Sequence, residues 1–435
     1  MDLSRKLVVD CLVKVEKSGF SNLVLTSAID SHNLSNQDKA FATKLFYGTV
    51  ERKLTLNHII QKQLSKPLSK MDKEVVAILQ SGLYQIMYME SVPDYAAINQ
   101  AVGLCPVFRK TSAKGLVNAV LRKCRNFDIE KEVFTDEITA LSVKYSVDAD
   151  IVKIIKKDYG DQTEDILKGM FITPKFTVKI NTTKITEEKY KQLLSENGVG
   201  YNEMPVAGAL EIIHRGGVTD IPGFNEGYFY VQGVTSQYAV SAAGIRKGYD
   251  VLDLCAAPGG KSFAAAIALD GTGSVTSCDP NPPRLKLIED GAARLGLENI
   301  TTVQNSGEVY NGKLKRYDVI ICDVPCSGIG IIPKKPDLRY KSMADVKQLA
   351  ELQYSILSTA AGYLKENGTI VYSTCTINKL ENEQVVDKFL KENPDFKLEK
   401  QHCPVENILN VDEKITFLSH LTGFDGFFVA VLRKM

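Results

Sequence analysis

The stretch Val251-Leu-Asp-Leu-Cys-Ala-Ala-Pro-Gly-Gly-Lys261 decides the fold of the second half of this chain. An apolar run that ends in small residues predicts a buried strand, a tight turn and the start of a helix. Few Cβ atoms crowd such a turn, so a ligand can approach its backbone closely. The spacing matches neither the G-x-G-x-x-G pattern of dinucleotide sites nor the G-x-x-x-x-G-K pattern of phosphate loops, which favours an adenosyl ligand without phosphates.

Strand and helix patterns alternate strictly downstream of Gly248. Apolar strand runs lie at 274–278, 317–322 and 368–372, and a helical pattern covers 284–295. This order predicts an α/β domain over residues 236–435, with parallel strands and helices on both faces of the sheet. In such folds, ligands bind at the carboxyl ends of the strands.

The upstream half predicts two further domains. From residue 1 to 145, apolar residues recur three and four apart, which is typical of an all-α domain of six or seven helices. Between 146 and 235, short helical and strand-like runs alternate, which indicates a small α/β domain. A chain of 435 residues with 44% apolar side chains is long enough for several separate cores.

Composition excludes several classes of function. The nine cysteines contain no C-x-x-C pair and the five histidines never fall at ligand spacing, so we expect neither a disulfide framework nor a metal site. No apolar run approaches the roughly 20 residues that cross a bilayer, which predicts a cytoplasmic protein without a signal peptide or a membrane partner. The net charge is only +1, but the stretch 101–126 carries six basic residues and no acidic one. Such a stretch can pair with phosphates, and a solvated helical face is an equally good interpretation.

Two cysteines stand out because each follows a predicted strand. Cys326 lies in Asp323-Val-Pro-Cys-Ser-Gly328, and Cys375 lies in Ser373-Thr-Cys-Thr376. Methylation of cytosine at ring carbon 5 is a reaction that needs a cysteine at such a position. A thiolate that adds to ring carbon 6 makes carbon 5 a nucleophile, and carbon 5 can then take a methyl group from a donor bound close to the cysteine. Six other cysteines, at 11, 105, 124, 278, 322 and 403, are interpreted as small buried hydrophobes.

Two charged residues near the turn carry further predictions. Asp279 ends the second strand, where a carboxylate can accept both hydroxyls of a ribose, although an Asp before Pro280 can also be a plain turn former. Lys261 stands at a helix N-terminus, where a cation opposes the helix dipole. That cost predicts a carboxylate partner for Lys261, on a cofactor or on a nearby side chain.

The motifs DLCAAPGGK, DVPCSG and STC together resemble the NOL1/NOP2/Sun family of RNA cytosine-5 methyltransferases. The resemblance implies a Rossmann-like domain with a mostly parallel, seven-stranded sheet and S-adenosyl-L-methionine as the cofactor. It also implies that Cys375 is the nucleophile, that Cys326 assists release of the methylated product, and that Asp323 contacts the cytosine and acts as an acid. The implied cofactor contacts are Cys255, Ala256, Ala257, Pro258, Gly259, Gly260, Lys261, Asp279 and Asp323.

One departure from the family pattern affects the adenine contact. The family usually carries an Asp-Gly pair after the third strand, whereas this chain reads Gln304-Asn-Ser-Gly307. Asn305 or Ser306 can still hydrogen-bond an adenine amine through oxygen, but without a charge.

The N-terminal region resembles the NusB-like RNA-binding domain of the Sun (Fmu) subfamily, through Ala96-Ala-Ile-Asn-Gln-Ala-Val102 and Lys114-Gly-Leu-Val-Asn-Ala-Val-Leu-Arg-Lys123. The implied partner is 16S rRNA or a partly assembled small subunit, bound by a monomer. The basic loop 333–341 can bind phosphates. The simpler interpretation is a surface loop without a partner. The expected RNA contacts are Arg109, Lys110, Lys114, Arg122, Lys123, Lys334, Lys335 and Arg339.

Two other functions stay open on the sequence alone. A methyltransferase that acts on a protein or a small molecule without covalent chemistry would need no cysteine pair. A noncatalytic RNA-binding or assembly factor would use residues 1–145 and retain an inactive methyltransferase domain.

Overall fold

A computed structural model describes residues 2–18, 21–214 and 216–435 of the chain. Its contacts divide the chain into two compact units. The first unit runs to Leu167 and also includes Lys335–Ser342, and the second comprises Lys168–Lys334 and Met343–Met435. The helices of residues 149–167, which the sequence assigns to the small middle domain, therefore make their contacts within the first unit.

The described residues form seventeen α-helices and thirteen strands. The helices are α1 (Leu3–Ser18), α2 (Ser21–Asp30), α3 (Asn36–Glu51), α4 (Lys53–Gln61), α5 (Lys73–Tyr88), α6 (Asp94–Val107), α7 (Lys114–Cys124), α8 (Glu137–Tyr145), α9 (Ala149–Tyr159), α10 (Thr163–Gly169), α11 (Glu187–Glu196), α12 (Val234–Ala242), α13 (Gly260–Leu269), α14 (Pro282–Leu295), α15 (Val346–Tyr363), α16 (Glu383–Glu392) and α17 (Ser419–Thr422). The strands are β1 (Thr177–Ile180), β2 (Gly200–Glu203), β3 (Ala209–Ile213), β4 (Phe229–Val231), β5 (Asp250–Asp253), β6 (Ser274–Asp279), β7 (Ile300–Gln304), β8 (Tyr317–Asp323), β9 (Leu364–Thr374), β10 (Phe396–Leu398), β11 (Leu409–Val411), β12 (Lys414–Phe417) and β13 (Phe427–Lys434).

The first unit is helical, and each long helix contributes one apolar face to its core. The fully buried core residues include Leu45, Phe46, Leu79 and Leu83. Helix α3 begins at a capped position, since Ser35 Oγ accepts a hydrogen bond from the Asp38 N–H at 3.1 Å. Eight described α-helices lie before residue 146, instead of the predicted six or seven. The count differs because the apolar pattern continues through Arg52, where α3 ends and α4 begins, and Arg52 is neither Gly nor Pro.

The smaller sheet of the second unit is antiparallel, in the order β2-β3-β1-β4. Its apolar face packs on α11, so that Val178, Ile180 and Tyr190 are fully buried. The loop before β4 approaches α14 closely at Gly227, where φ is +74° and an added Cβ would lie 2.2 Å from the Arg294 carbonyl oxygen. Only glycine fits this contact, because any other residue would combine backbone strain with a steric clash.

The larger sheet of the second unit has nine strands, in the order β11-β12-β13-β9-β8-β5-β6-β7 with β10 paired to β13. The five strands from β9 to β7 are parallel, and the remaining strands are antiparallel. The predicted fold class is confirmed, but the sheet has nine strands and not seven. The difference includes the three-residue strands β10 and β11, which are too short to give an alternating pattern.

Parallel pairing brings the carboxyl ends of the central strands to one edge of the sheet. Val251 of β5 pairs with Val319 of β8, and Asp323 of β8 pairs with Ser373 of β9. The segments that follow β5, β6, β8 and β9 therefore leave the sheet at the same edge. Among the described residues, each helix is too short or too polar to traverse a bilayer.

Candidate active site

The turn between β5 and α13, residues 255–259, is the cofactor turn, named for its predicted ligand. It consists of small residues and is mostly buried, with Pro258 exposed. Gly259 has a φ of +110°, and an added Cβ there would lie 2.5 Å from the Phe263 ring. Ala256, near the start of this turn, is fixed to β6, since its N–H donates to the Cys278 carbonyl oxygen at 2.9 Å. The turn thus holds a fixed shape without bulky side chains, as the sequence predicts for a ligand-binding turn.

Asp279 lies at the end of β6, beside this turn, and is only 2% exposed. Arg284 connects the two, because its guanidinium lies 3.1 Å from the Asp279 carboxylate and donates to the Ala257 carbonyl oxygen at 2.9 Å. Asp279 also accepts the Asn281 N–H at 2.9 Å, as a turn-forming Asp does. The contact of a turn-forming Asp is thus present, whereas ribose binding by Asp279 stays a prediction. Arg284 is a neighbour that the sequence did not single out.

The turn after β7 contacts the cofactor turn. An added Cβ at Gly307 would lie 3.3 Å from the Cys255 sulfur. The amide of Asn305 donates to the Ser306 and Val309 carbonyl oxygens at 2.8 and 3.2 Å. Ser306 Oγ donates to the Glu308 carboxylate at 2.6 Å, so an acidic group is present two residues beyond the position where the family carries Asp.

Lys261 and Asp323 join the cofactor turn to the end of β8. The Lys261 ammonium lies 2.6 Å from Asp323 Oδ2, and the Ser373 hydroxyl donates to Asp323 Oδ1 at 2.8 Å. Lys261 is 8% exposed, and its ammonium also lies 5.4 Å from the centre of the Phe427 ring. The predicted carboxylate partner of Lys261 is confirmed, and it is Asp323.

The two cysteines at the strand ends lie together. Cys326 follows β8, Cys375 follows β9, and their sulfur atoms are 3.2 Å apart. The hydrogen bond with Cys375, together with burial, raises the pKa of the Cys326 thiol well above its usual value. Burial likewise raises the pKa of the Cys255 and Cys322 thiols.

Two residues that the sequence did not single out hold the loop of Cys326. The Glu381 carboxylate accepts the Ser327 N–H at 2.7 Å, and the Gln353 amide donates to the Pro325 carbonyl oxygen at 2.8 Å. Both side chains are fully buried. No spacing pattern connects them to the loop, because only the fold brings α15 and the segment after β9 against it.

The basic residues predicted to contact RNA in the first unit are mostly exposed. Arg109, Lys114, Arg122 and Lys123 are exposed on and beside α6 and α7. Lys110 is half-buried and forms an ion pair with Asp72 at 2.9 Å. The stretch 101–126 thus presents a basic surface, of which Lys110 is partly neutralised.

The basic loop at 333–341 differs from the prediction at Arg339. Arg339 is fully buried in the first unit and donates to the Tyr145 carbonyl oxygen at 3.1 Å. The prediction that it contacts RNA is therefore wrong in this conformation, because a loop sequence does not reveal which of its cations is buried. Lys335 is exposed, and Lys334 forms an ion pair with Asp425 at 2.6 Å.

The parallel sheet carries a glycine turn after its first strand, an acidic residue at the end of its second strand and cysteine loops after β8 and β9. This arrangement is that of a Rossmann-like methyltransferase. Sequence profiles agree along the chain. The NusB family matches residues 2–126, a ferredoxin-like domain of RsmF/B-like methyltransferases matches 151–219, and 16S rRNA methyltransferase RsmB/F matches 244–433. The chain belongs to the ribosomal RNA small subunit methyltransferase B family.

Full-length relatives support this membership. The chain is 34% identical to a probable ribosomal RNA small subunit methyltransferase B from Bacillus subtilis, over 99% of this chain and 98% of the relative. It is 30% identical to ribosomal RNA small subunit methyltransferase B from Citrobacter koseri, over 92% of each chain. The crystal structure of PH0851 has the same fold, with a TM-score of 0.85 at 23% identity over 100% of this chain and 99% of that one.

Proposed function

We propose that this protein transfers a methyl group from S-adenosyl-L-methionine to carbon 5 of a cytosine in 16S rRNA, through a transient bond between Cys375 and carbon 6. The observation that carries the proposal is the 3.2 Å contact between the Cys326 and Cys375 sulfurs, beside the Lys261–Asp323 ion pair. A noncovalent methyltransferase has no use for two adjacent thiols at this edge of the sheet.

The residues present fit the cofactor. The small residues of the turn after β5 leave its backbone open to an adenosyl group, and the buried Asp279 carboxylate supplies acceptors for ribose hydroxyls. Asn305 or Ser306, with Glu308 beside them, would face the adenine. When bound, the cofactor supplies the electrophilic methyl group.

The residues of the chain supply the other parts of the reaction. The Cys375 thiolate attacks carbon 6, which forms an S–C bond and moves an electron pair to carbon 5. Asp323 acts as an acid together with Lys261: a proton shared in this ion pair passes to the ring nitrogen on which negative charge develops, while Ser373 holds the other oxygen of Asp323. Carbon 5 then forms a bond to the methyl group, whose bond to the cofactor's sulfur breaks, and S-adenosylhomocysteine leaves with that electron pair.

Release requires loss of the proton on carbon 5. Its electron pair re-forms the bond between carbons 5 and 6, and Cys375 leaves as a thiolate. We assign the base to Cys326. The hydrogen bond with Cys375 is the largest cause that raises the pKa of Cys326, and it is lost once Cys375 is bonded to carbon. Cys326 can then give its proton to solvent and accept the proton from carbon 5.

The substrate is an unpaired or extruded cytosine, since ring carbons within a stacked helix are out of reach. The exposed basic residues on and beside α6 and α7 would bind the phosphates of 16S rRNA or of a partly assembled small subunit. Action on this substrate would place the protein in the cytoplasm.

Three variants test the proposal on 16S rRNA fragments with radiolabelled cofactor. Cys375→Ala should abolish methylation, and Cys326→Ala should accumulate a protein–RNA adduct that survives denaturing electrophoresis. The double variant should form no adduct. Methylation by Cys375→Ala at the wild-type rate would instead support noncovalent transfer, and cofactor binding without turnover by the wild type would support an assembly factor.

A further inference from the structure

The loop that carries Cys326 is held from both sides by buried side chains. On its N-terminal side the Pro325 carbonyl oxygen accepts the Gln353 amide at 2.8 Å, and on its C-terminal side the Ser327 N–H donates to Glu381 at 2.7 Å. Gln353 and Glu381 are themselves bonded, with 3.1 Å between the Gln353 amide nitrogen and Glu381 Oε2. One connected pair thus fixes the peptide groups that flank Cys326.

Among the residues that the structure describes, the Glu381 carboxylate is held by hydrogen bonds and by no ion pair. Besides Ser327 and Gln353 it accepts the Asn378 amide at 3.0 Å, so both of its carboxyl oxygens act as acceptors. It is fully buried, and none of its three donors is a Lys or Arg side chain. The free-energy cost of burying a carboxyl group among neutral donors is greater than that of burying an amide. Packing alone therefore does not explain a Glu at this position.

We propose that Glu381, together with Gln353, is a positioning residue that fixes the Cys326 sulfur against Cys375 and thereby sets the rate at which the methylated product is released. The inference rests on the proposed function, because it needs Cys326 to act in release. The 3.2 Å separation of the sulfurs leaves little room for movement of the loop. Loss of the Ser327 bond would free the peptide next to Cys326, while Cys375, the cofactor turn and Asp323 keep their own contacts.

Glu381→Gln is the sharpest test, since it keeps the shape of the side chain but places an amide NH2 group, itself a donor, opposite a donor from which the carboxyl group accepts a hydrogen bond. We expect the adduct to form at the wild-type rate and to resolve about tenfold more slowly, as for the loss of one charge-assisted hydrogen bond. Adduct should therefore accumulate during turnover, whereas the cofactor affinity measured by calorimetry should not change. A merely structural role would lower adduct formation and turnover together.

Two further variants complete the experiment. Gln353→Met removes the donors to Pro325 and Glu381 at similar volume, and should slow release in the same way; it decides the question if Glu381→Gln does not bind cofactor. Asp290→Asn is the matched control, since Asp290 lies on α14, forms an exposed ion pair with Lys286 and should behave as the wild type.

Cys326→Ala, run in parallel, separates the two proposals. If Cys326→Ala accumulates adduct and neither Glu381→Gln nor Gln353→Met does, the positioning role is overturned and the proposed function stands. If Cys326→Ala accumulates no adduct, the release role of Cys326 fails, and the positioning role fails with it.

Discussion

The Lys261 ammonium lies 2.6 Å from the Asp323 carboxylate, and this ion pair joins the turn after β5 to the cysteine loop after β8. The cost of a cation at the N-terminus of α13 is thereby offset by an acid from a neighbouring strand. Asp323 accepts the Ser373 hydroxyl on its other oxygen, so Lys261 and Ser373 together fix the orientation of the group proposed to act on the cytosine.

Lys261→Met should lower kcat about 100-fold, because a partly buried acid that loses its cation no longer holds the geometry in which it stabilises charge on the ring. The measurement is methyl incorporation into an rRNA fragment at saturating cofactor. Lys286→Met is the control, since Lys286 forms an exposed ion pair with Asp290 on α14. Equal kcat values for the two variants would show that the ion pair serves only the fold.

Local pattern was enough to find the residues that lie at strand ends. Cys326, Cys375 and Asp323 each follow an apolar run, and parallel pairing necessarily brings such positions to one edge of the sheet. The cost of a cation at a helix N-terminus predicted a carboxylate partner for Lys261, which the structure confirms as Asp323.

Residues that act across the fold could not be found in this way. Glu381 and Gln353 reach the Cys326 loop from sequence separations of 54 and 28 residues, and no pattern links these positions. Arg339 shows the opposite failure, because its basic loop predicts exposure whereas its side chain is fully buried. Hydrogen-bond partners that are distant in sequence, and the burial of a single side chain, depend on how the chain packs and cannot be read from local composition.

The basic surface on α7 gives a prediction for RNA binding. Lys123→Ala should weaken binding of an rRNA fragment and reduce the magnitude of the salt slope of log K by about 0.7 to 0.9, the value for one phosphate contact. Lys110→Ala should have a smaller effect, because Lys110 is already paired with Asp72. Titrations at several salt concentrations measure both slopes. If Lys123→Ala leaves the salt slope of log K unchanged, the RNA binds elsewhere on the protein.

Asp253, in the strand before the cofactor turn, gives a prediction for stability against pH. The residue is fully buried and accepts the Ser262 hydroxyl at 2.7 Å, and burial raises the pKa of its carboxyl group from 3.8 to about 7. Between these values the folded protein binds more protons than the unfolded chain, so stability falls as pH rises. The contribution is complete below about pH 4 and is lost by about pH 7.

Asp253→Asn removes this titration because an amide binds no proton in that range. The difference in unfolding free energy between wild type and variant should therefore change by at most about 4 kcal/mol between pH 4 and pH 7, with the wild type favoured at the acidic end. Urea unfolding at each pH gives these free energies. Asp290→Asn, in an exposed ion pair of the same unit, should show no such trend. A constant difference between wild type and Asp253→Asn would mean that Asp253 stays ionised in the folded protein, and that the neighbouring Lys261 compensates its burial.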